Sequence, residues 1–324
     1  MKKALSTILS AALLLTLSAG CNAPAVRDDG KISVVTTIFP EYDWVRRIAG
    51  SDNEDLDITL LTDNGVDLHN FQPSTEDILT ISECDIFIYV GGESDQWVND
   101  ALDNATNDDM IVINLLDILG ERARIEETVE GMQAEDEDAG VGDDEEEYDE
   151  HVWLSLNNAV LFVEAIKDAL IQADPEDKDL YENNAEAYIN EIKALNDRYL
   201  ETVAKADHNT LIFGDRFPFV YLVKDYGLDY YAAFSGCSAE TEASFETIVF
   251  LSRKMDELKL DHILIIDGSD DGIARTIVEN TSSGKADIIR LDSMQSVDKD
   301  DIESGISYLS IMEANLAVIE EALS

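Results

Sequence analysis

Apolar runs of strand length recur along this chain with helical stretches between them, interrupted once by a single much longer helix. That alternation is the strongest constraint on the fold. A strand that is apolar along its whole length has no face to give to water, so it must lie in a parallel sheet covered on both sides. Ile32 to Thr37 reads as the first such strand, followed by a helix from Pro40 to Ala49 that Gly50 closes. Leu56 to Leu61 and Asp85 to Val90 read as the next two strands, and Met110 to Leu115 as the fourth. Ser74-Thr75-Glu76-Asp77 carries capping-box chemistry for the helix between the second and third strands. Leu154 to Ala173 is a helix, and Asp174-Pro175 then starts a long one from about Glu176 to Ala206. At the helical rise that segment spans roughly 45 Å, the length of a rigid connector.

Beyond the connector the plan repeats. Strands are expected at Thr210–Phe213, Tyr230–Phe234, His262–Ile266 and Ile288–Leu291. Helices are expected at Arg216–Tyr226, Phe245–Leu258, Ile273–Asn280 and Tyr308–Leu323. The fold class is therefore α/β: two Rossmann-like lobes with mostly parallel sheets, joined by the long helix, with any site in the cleft between them. The expected divisions are an N-terminal lobe at 32–173, the connector at 174–206 and a C-terminal lobe at 207–324.

The N-terminus bears on the compartment. Met1-Lys2-Lys3 precedes an almost uncharged apolar run to Leu17, which ends in Ser18-Ala19-Gly20-Cys21. This reads as a signal peptide over residues 1–20, too short for a stable membrane span. Cys21, directly after Ala-Gly, resembles the lipidated first residue of a bacterial lipoprotein, with residues 21–31 as a tether. An extracytoplasmic location on the outer face of the cell membrane follows. Loss of the leader takes away two lysines, so the net charge of −48 becomes −50. A chain so acidic is no nucleic-acid binder, because phosphate recognition requires Lys and Arg. Its surface does raise the local concentration of cations. Residues 135–150 form an acidic loop in which eleven of sixteen side chains are Asp or Glu. It reads as an extended solubilising insertion or a weak cation collector. Cys84 and Cys237 fall in different lobes and are expected as buried free thiols.

Four histidines are present. His69 lies in Gly65-Val66-Asp67-Leu68-His69-Asn70-Phe71-Gln72-Pro73 and His151 in Asp149-Glu150-His151-Val152-Trp153, each after a strand-and-loop segment and before a helix. Neutral imidazole is the commonest metal ligand in proteins. His208 and His262 are expected to be structural, and Trp97 and Trp153 to pack. Those two loops, with Thr36-Thr37-Ile38-Phe39-Pro40, Tyr89-Val90-Gly91-Gly92-Glu93-Ser94-Asp95-Gln96-Trp97 and the stretch from Phe217 to Leu228, carry a resemblance. The chain resembles the metal-binding, substrate-binding lipoproteins of ABC importers, the zinc and manganese receptors of cluster A-I, over nearly all of its mature length.

The resemblance implies one divalent metal held between the lobes by four ligands. His69 and His151 match the first two, and Asp292 in Arg290-Leu291-Asp292-Ser293 matches the fourth. The third opens a motif of the form His-x-Ala-Phe-x-Tyr, whose first place matches Gly214 in Gly214-Asp215-Arg216-Phe217-Pro218-Phe219. Glycine has no donor, so Asp215 is the substitute, with water, Asp267 or Glu240 as alternatives and Arg216 as an ion-pair partner of Asp215 or Asp292. Asp267 otherwise stands behind a ligand. Two imidazoles and two carboxylates suit Zn2+ in tetrahedral form, slightly favoured here, with Mn2+ or Fe2+ as alternatives. The expected role is capture of the metal by a monomeric, non-enzymatic receptor and delivery to an ABC permease and its ATPase. A metal-dependent hydrolase is the second reading, although neither Gly-x-Ser-x-Gly nor His-Glu-x-x-His occurs. A surface adhesin is the third.

Overall fold

The computed structural model describes residues 30–50, 53–133, 147–238 and 242–324. The leader, the lipidation candidate Cys21, most of the acidic loop and Glu240 lie outside them. Two sheets of four strands organise the described chain. The first contains β1 (Ile32–Thr36), β2 (Leu56–Leu60), β3 (Ile86–Tyr89) and β4 (Ile111–Asn114) in the order β2-β1-β3-β4. The second contains β5 (Thr210–Phe217), β6 (Asp229–Ser235), β7 (His262–Ile266) and β8 (Asp287–Leu291) in the order β6-β5-β7-β8. Every pairing in both is parallel.

Helices fill the crossovers. In the first half they are α1 (Phe39–Ala49), α2 (Thr75–Glu83), α3 (Trp97–Asp103), α4 (Leu115–Leu119) and α5 (Leu156–Ala173). The expected connector is α6 (Lys178–Lys205), and α7 (Val220–Tyr226), α8 (Phe245–Leu258), α9 (Gly272–Glu279), α10 (Lys299–Ser304) and α11 (Tyr308–Ala322) follow. The Ser74 capping box forms: its hydroxyl accepts from the Asp77 N–H at 3.2 Å, and the Asp77 carboxylate accepts from the Ser74 N–H at 2.7 Å. The short helices α3, α4 and α10 have no counterpart in the sequence reading. Each is too brief to show a periodic apolar face.

The buried residues of α6 are Tyr181, Ala185, Tyr188, Ile189, Ile192, Leu195 and Tyr199, a stripe at helical spacing. This stripe rests on α1 and α5 from the first half and on α7 and α11 from the second. It joins Val34 and Trp44 on one side to Phe213, Tyr308 and Leu323 on the other in one continuous apolar core. Burial of each large apolar side chain contributes about 1.5–3 kcal/mol, so this core ties the halves together firmly. Trp153 sits within it at 1% exposure. Its indole N–H donates to the Ser293 carbonyl at 2.9 Å, and the Tyr308 hydroxyl donates to the Trp153 carbonyl at 2.8 Å. The loop that carries His151 is thereby pinned to the loop that carries Asp292.

Candidate metal centre

His69 lies beyond the C-terminal end of β2 in a 3-10 turn over Leu68–Asn70. Asp67 fixes that turn, since its Oδ1 accepts the His69 N–H at 3.0 Å. His151 immediately precedes a second 3-10 turn, Val152–Leu154, and Asp149 Oδ1 accepts its N–H at 2.9 Å. In both places a carboxylate two residues earlier caps the turn and orients the histidine that follows.

The two rings then meet. Their Nε2 atoms are 3.1 Å apart and their centroids 5.1 Å. Each Nδ1 faces away, toward oxygen. That of His151, fully buried, lies 3.2 Å from Asp149 Oδ1. That of His69 lies 2.8 Å from the Ser94 hydroxyl and 3.3 Å from Glu150 Oε2. These acceptors assign the ring protons to Nδ1 and leave both Nε2 lone pairs pointing into one space.

Glycines create room for the supporting carboxylate. Gly92 has φ +88°, and a Cβ there would collide with the Glu150 carboxylate. Without it Glu150 Oε1 could not accept the Ser94 N–H at 2.8 Å while Oε2 flanks His69. Electrostatics follow the geometry. Burial alone would lower the His69 pKa, but the Glu150 and Asp67 carboxylates outweigh it and hold the imidazole above its ordinary value. Burial likewise raises Glu150, yet His69 and Ser94 bring it below the usual carboxylate range.

The third and fourth expected ligands are engaged in hydrogen bonds of their own. Gly214 sits where β5 shifts register between Phe213 and Arg216, and an added Cβ would lie 2.6 Å from Ala274 Cα in α9. No side chain fits there, so Gly214 is not the ligand position. Phe219-Val220-Tyr221 also has the Phe-x-Tyr form of the motif, and in that register its first residue is Arg216. Asp215 lines the cleft, but Oδ1 accepts the Arg216 N–H at 2.8 Å and Oδ2 the Ile266 N–H at 3.0 Å. Arg216 pairs with neither Asp215 nor Asp292. Its Nη2 donates to Asp67 Oδ2 at 2.9 Å, across from the other half of the chain.

Asp292 caps its own loop, with Oδ1 accepting the Met294 N–H at 2.7 Å. Burial first, and Asp267 second, push its carboxyl up to about 7. Asp267 accepts the Ser293 N–H at 2.6 Å and the Ser293 hydroxyl at 2.9 Å, and also bonds Ser296. It therefore works by holding the Asp292 loop. His208 and His262 stand apart from the centre: the His208 N–H donates to the Leu323 carbonyl, and the His262 ring lies 3.8 Å from Glu321.

One participant was read differently in the sequence. Among the described residues, the donor atoms of His69, His151 and Cys237 lie within 4.8 Å of one another. Cys237 lies two residues beyond the end of β6, is half-buried and forms no disulfide. Burial and the carboxylates of Glu126, Asp149 and Glu150 push its thiol well above the ordinary range. Its position at the C-terminal end of a parallel strand was the available signal, because open α/β sheets gather their sites there. Clefts of about 470 and about 640 Å³ both reach His69 and Cys237, the larger lined by Glu126, Glu147 and Glu150.

Comparison with known proteins agrees with this architecture. Zinc-binding lipoprotein AdcA of Streptococcus pneumoniae is 30% identical over 321 residues, 98% of this chain. The chain spans only 61% of AdcA. The high-affinity zinc uptake system protein ZnuA of Bacillus subtilis is 27% identical over 98% of this chain and 96% of its own length. The solved Zn(II)-bound ZnuA-like domain of Streptococcus pneumoniae AdcA is 27% identical, with a TM-score of 0.70 over 91% of this chain and 99% of that domain. Residues 34–322 match the model of ZnuA, the zinc-uptake complex component A, periplasmic, and the chain belongs to that family.

Proposed function

We propose that this chain is an extracytoplasmic receptor, anchored through Cys21, that captures Zn2+ in preference to Mn2+ and delivers it to an ABC permease and its ATPase. The observation that carries the reading is the pair of Nε2 atoms 3.1 Å apart, with each Nδ1 turned toward oxygen. Two lone pairs aimed at each other repel unless a cation stands between them. At zinc–nitrogen bonds of 2.0–2.1 Å and tetrahedral angles, two nitrogens lie about 3.3 Å apart, close to the spacing here. His69 and His151 are the ligands we assign first. Asp292 is the carboxylate assigned to the C-terminal half, since a cation beside it relieves the burial and the Asp267 repulsion that raise its pKa. Asp215 is set aside because backbone N–H groups occupy both its oxygens.

Zinc is also what the names of the AdcA and ZnuA relatives specify. Because the core is continuous through α6, we expect closure on the metal to be a small rocking motion. Small-angle scattering would then show little compaction. The test of the function is calorimetric titration of the metal-stripped protein from residue 22 onward with Zn2+ and Mn2+ separately. His69→Ala and His151→Ala should each weaken zinc by at least about tenfold, the loss that even supporting partners of a ligand can cause. Unchanged affinity in both would overturn the assignment.

A further inference from the structure

The C-terminal half must complete the set, and most of its candidates are occupied. Arg216, first in the Phe219-Val220-Tyr221 register of the motif, carries only N–H donors and engages Asp67. Asp215 is held by backbone. What remains beside the imidazoles is Cys237.

Three features of the chain place it there. It lies two residues beyond the end of β6, in the turn that leaves the sheet, and its N–H donates to Glu126 Oε1 at 2.9 Å. Gly236 before it approaches the edge of the His151 ring: an added Cβ would stand 3.1 Å from His151 Cε1 and 3.0 Å from the Phe217 carbonyl. A bare backbone at 236 is what lets the strand end approach the buried histidine. The sulfur then lies within 4.8 Å of the donor nitrogens of both rings.

We propose that Cys237 is a ligand of the captured metal, bound as a thiolate, and that the His69, His151 and Cys237 donors select zinc against manganese. This rests on the receptor reading above. On binding, the S–H bond breaks, the sulfur lone pair forms the bond to the metal and the proton leaves to solvent, while the imidazoles contribute lone pairs without loss of a proton. Thiolate is a soft donor that suits zinc, whereas manganese prefers carboxylate, carbonyl and water. Two nitrogens and one sulfur leave a fourth tetrahedral position for Asp292 or water.

The experiment uses the whole mature protein loaded with Co2+, a spectroscopic stand-in for zinc. A near-ultraviolet sulfur-to-cobalt charge-transfer band is expected in the native protein, and zinc should protect Cys237 from iodoacetamide. Cys84, buried and remote, is the internal control. Cys237→Ser should lose the band and weaken zinc by about tenfold or more, with a smaller effect on manganese. Tight cobalt binding by the native protein without the band, or alkylation of Cys237 unaffected by zinc, would overturn the thiolate while leaving the receptor reading intact. Failure of the native protein to bind either metal would overturn both. The band is read on the native chain, so a poorly folded variant does not shield the proposal.

Discussion

Replacing Asp149 by Asn tests whether the carboxylate behind His151 shapes the metal centre or only the turn. Asp149 is fully buried, and its Oδ1 accepts both the backbone N–H of His151 at 2.9 Å and the ring Nδ1–H at 3.2 Å. Its Oδ2 is buried with no hydrogen-bond partner among the described residues. An asparagine can keep its carbonyl oxygen where Oδ1 stands and so preserve both bonds. The amide nitrogen then replaces an atom already without a partner, and the metal-free protein should change little in stability. What is lost is the negative charge behind the ring, which favours a cation bound at the opposite nitrogen. Removal of such a partner typically costs 10- to 100-fold in metal affinity, or about 1.4–2.8 kcal/mol. Competition against a chromophoric zinc chelator, with metal-free unfolding in urea as the control, measures the two effects separately. Zinc affinity within about twofold of native, with unchanged folding, would refute the argument that this carboxylate tunes His151.

Zinc binding needs His69 neutral, and its pKa is raised, so proton competition begins at higher pH than for an ordinary imidazole. Affinity should therefore fall as pH drops, starting at that higher pH, and titrations that stay flat through the histidine range would exclude His69. Burial, and then Asp95, push Glu41 from 4.5 up to about 8. Between those values the folded chain keeps a proton that the unfolded chain has released, so stability is greatest below the lower one. It declines by up to about 1.4 kcal/mol per pH unit as pH rises, and none of this contribution remains above the upper value. Glu41→Gln should flatten that slope in urea unfolding across the same interval. Gly92→Ala combines a positive φ with a clash against Glu150, and should lower stability by at least about 1 kcal/mol and weaken zinc; a variant with native melting and affinity would show that the loop relaxes freely.

The long elements were legible because apolar periodicity is local. α6 was expected from about 176 to 206 and runs from Lys178 to Lys205. Strand order was not legible, since β2-β1-β3-β4 depends on which edges meet in space. The same division holds at the centre. His69 and His151 stood out by the loops around them, and the fold brings them together. Gly214 was chosen by matching the motif to Phe217 and Phe219; the contact with Ala274 shows why that place holds no side chain. Cys237 has as its sign only a place just past a strand end, because Gly236-Cys237-Ser238 says nothing of a histidine that far back in the chain. Its meaning depends on two sheets pointing their strand ends at one another.

The continuous core has a consequence for how the molecule comes apart. Cut before α6, the first half would expose the faces of α1 and α5 that now rest on Tyr181, Tyr188 and Ile192. The second half, which keeps α6, would expose the matching buried stripe on that helix. Neither fragment retains a complete interior, so heat should melt the two sheets in one cooperative transition. A metal held in the cleft then raises the melting point of the whole chain and not of one part, by the mass-action term of a ligand that binds only the native state. In the proposed extracytoplasmic role, that makes the loaded form the one more resistant to proteolysis throughout its length.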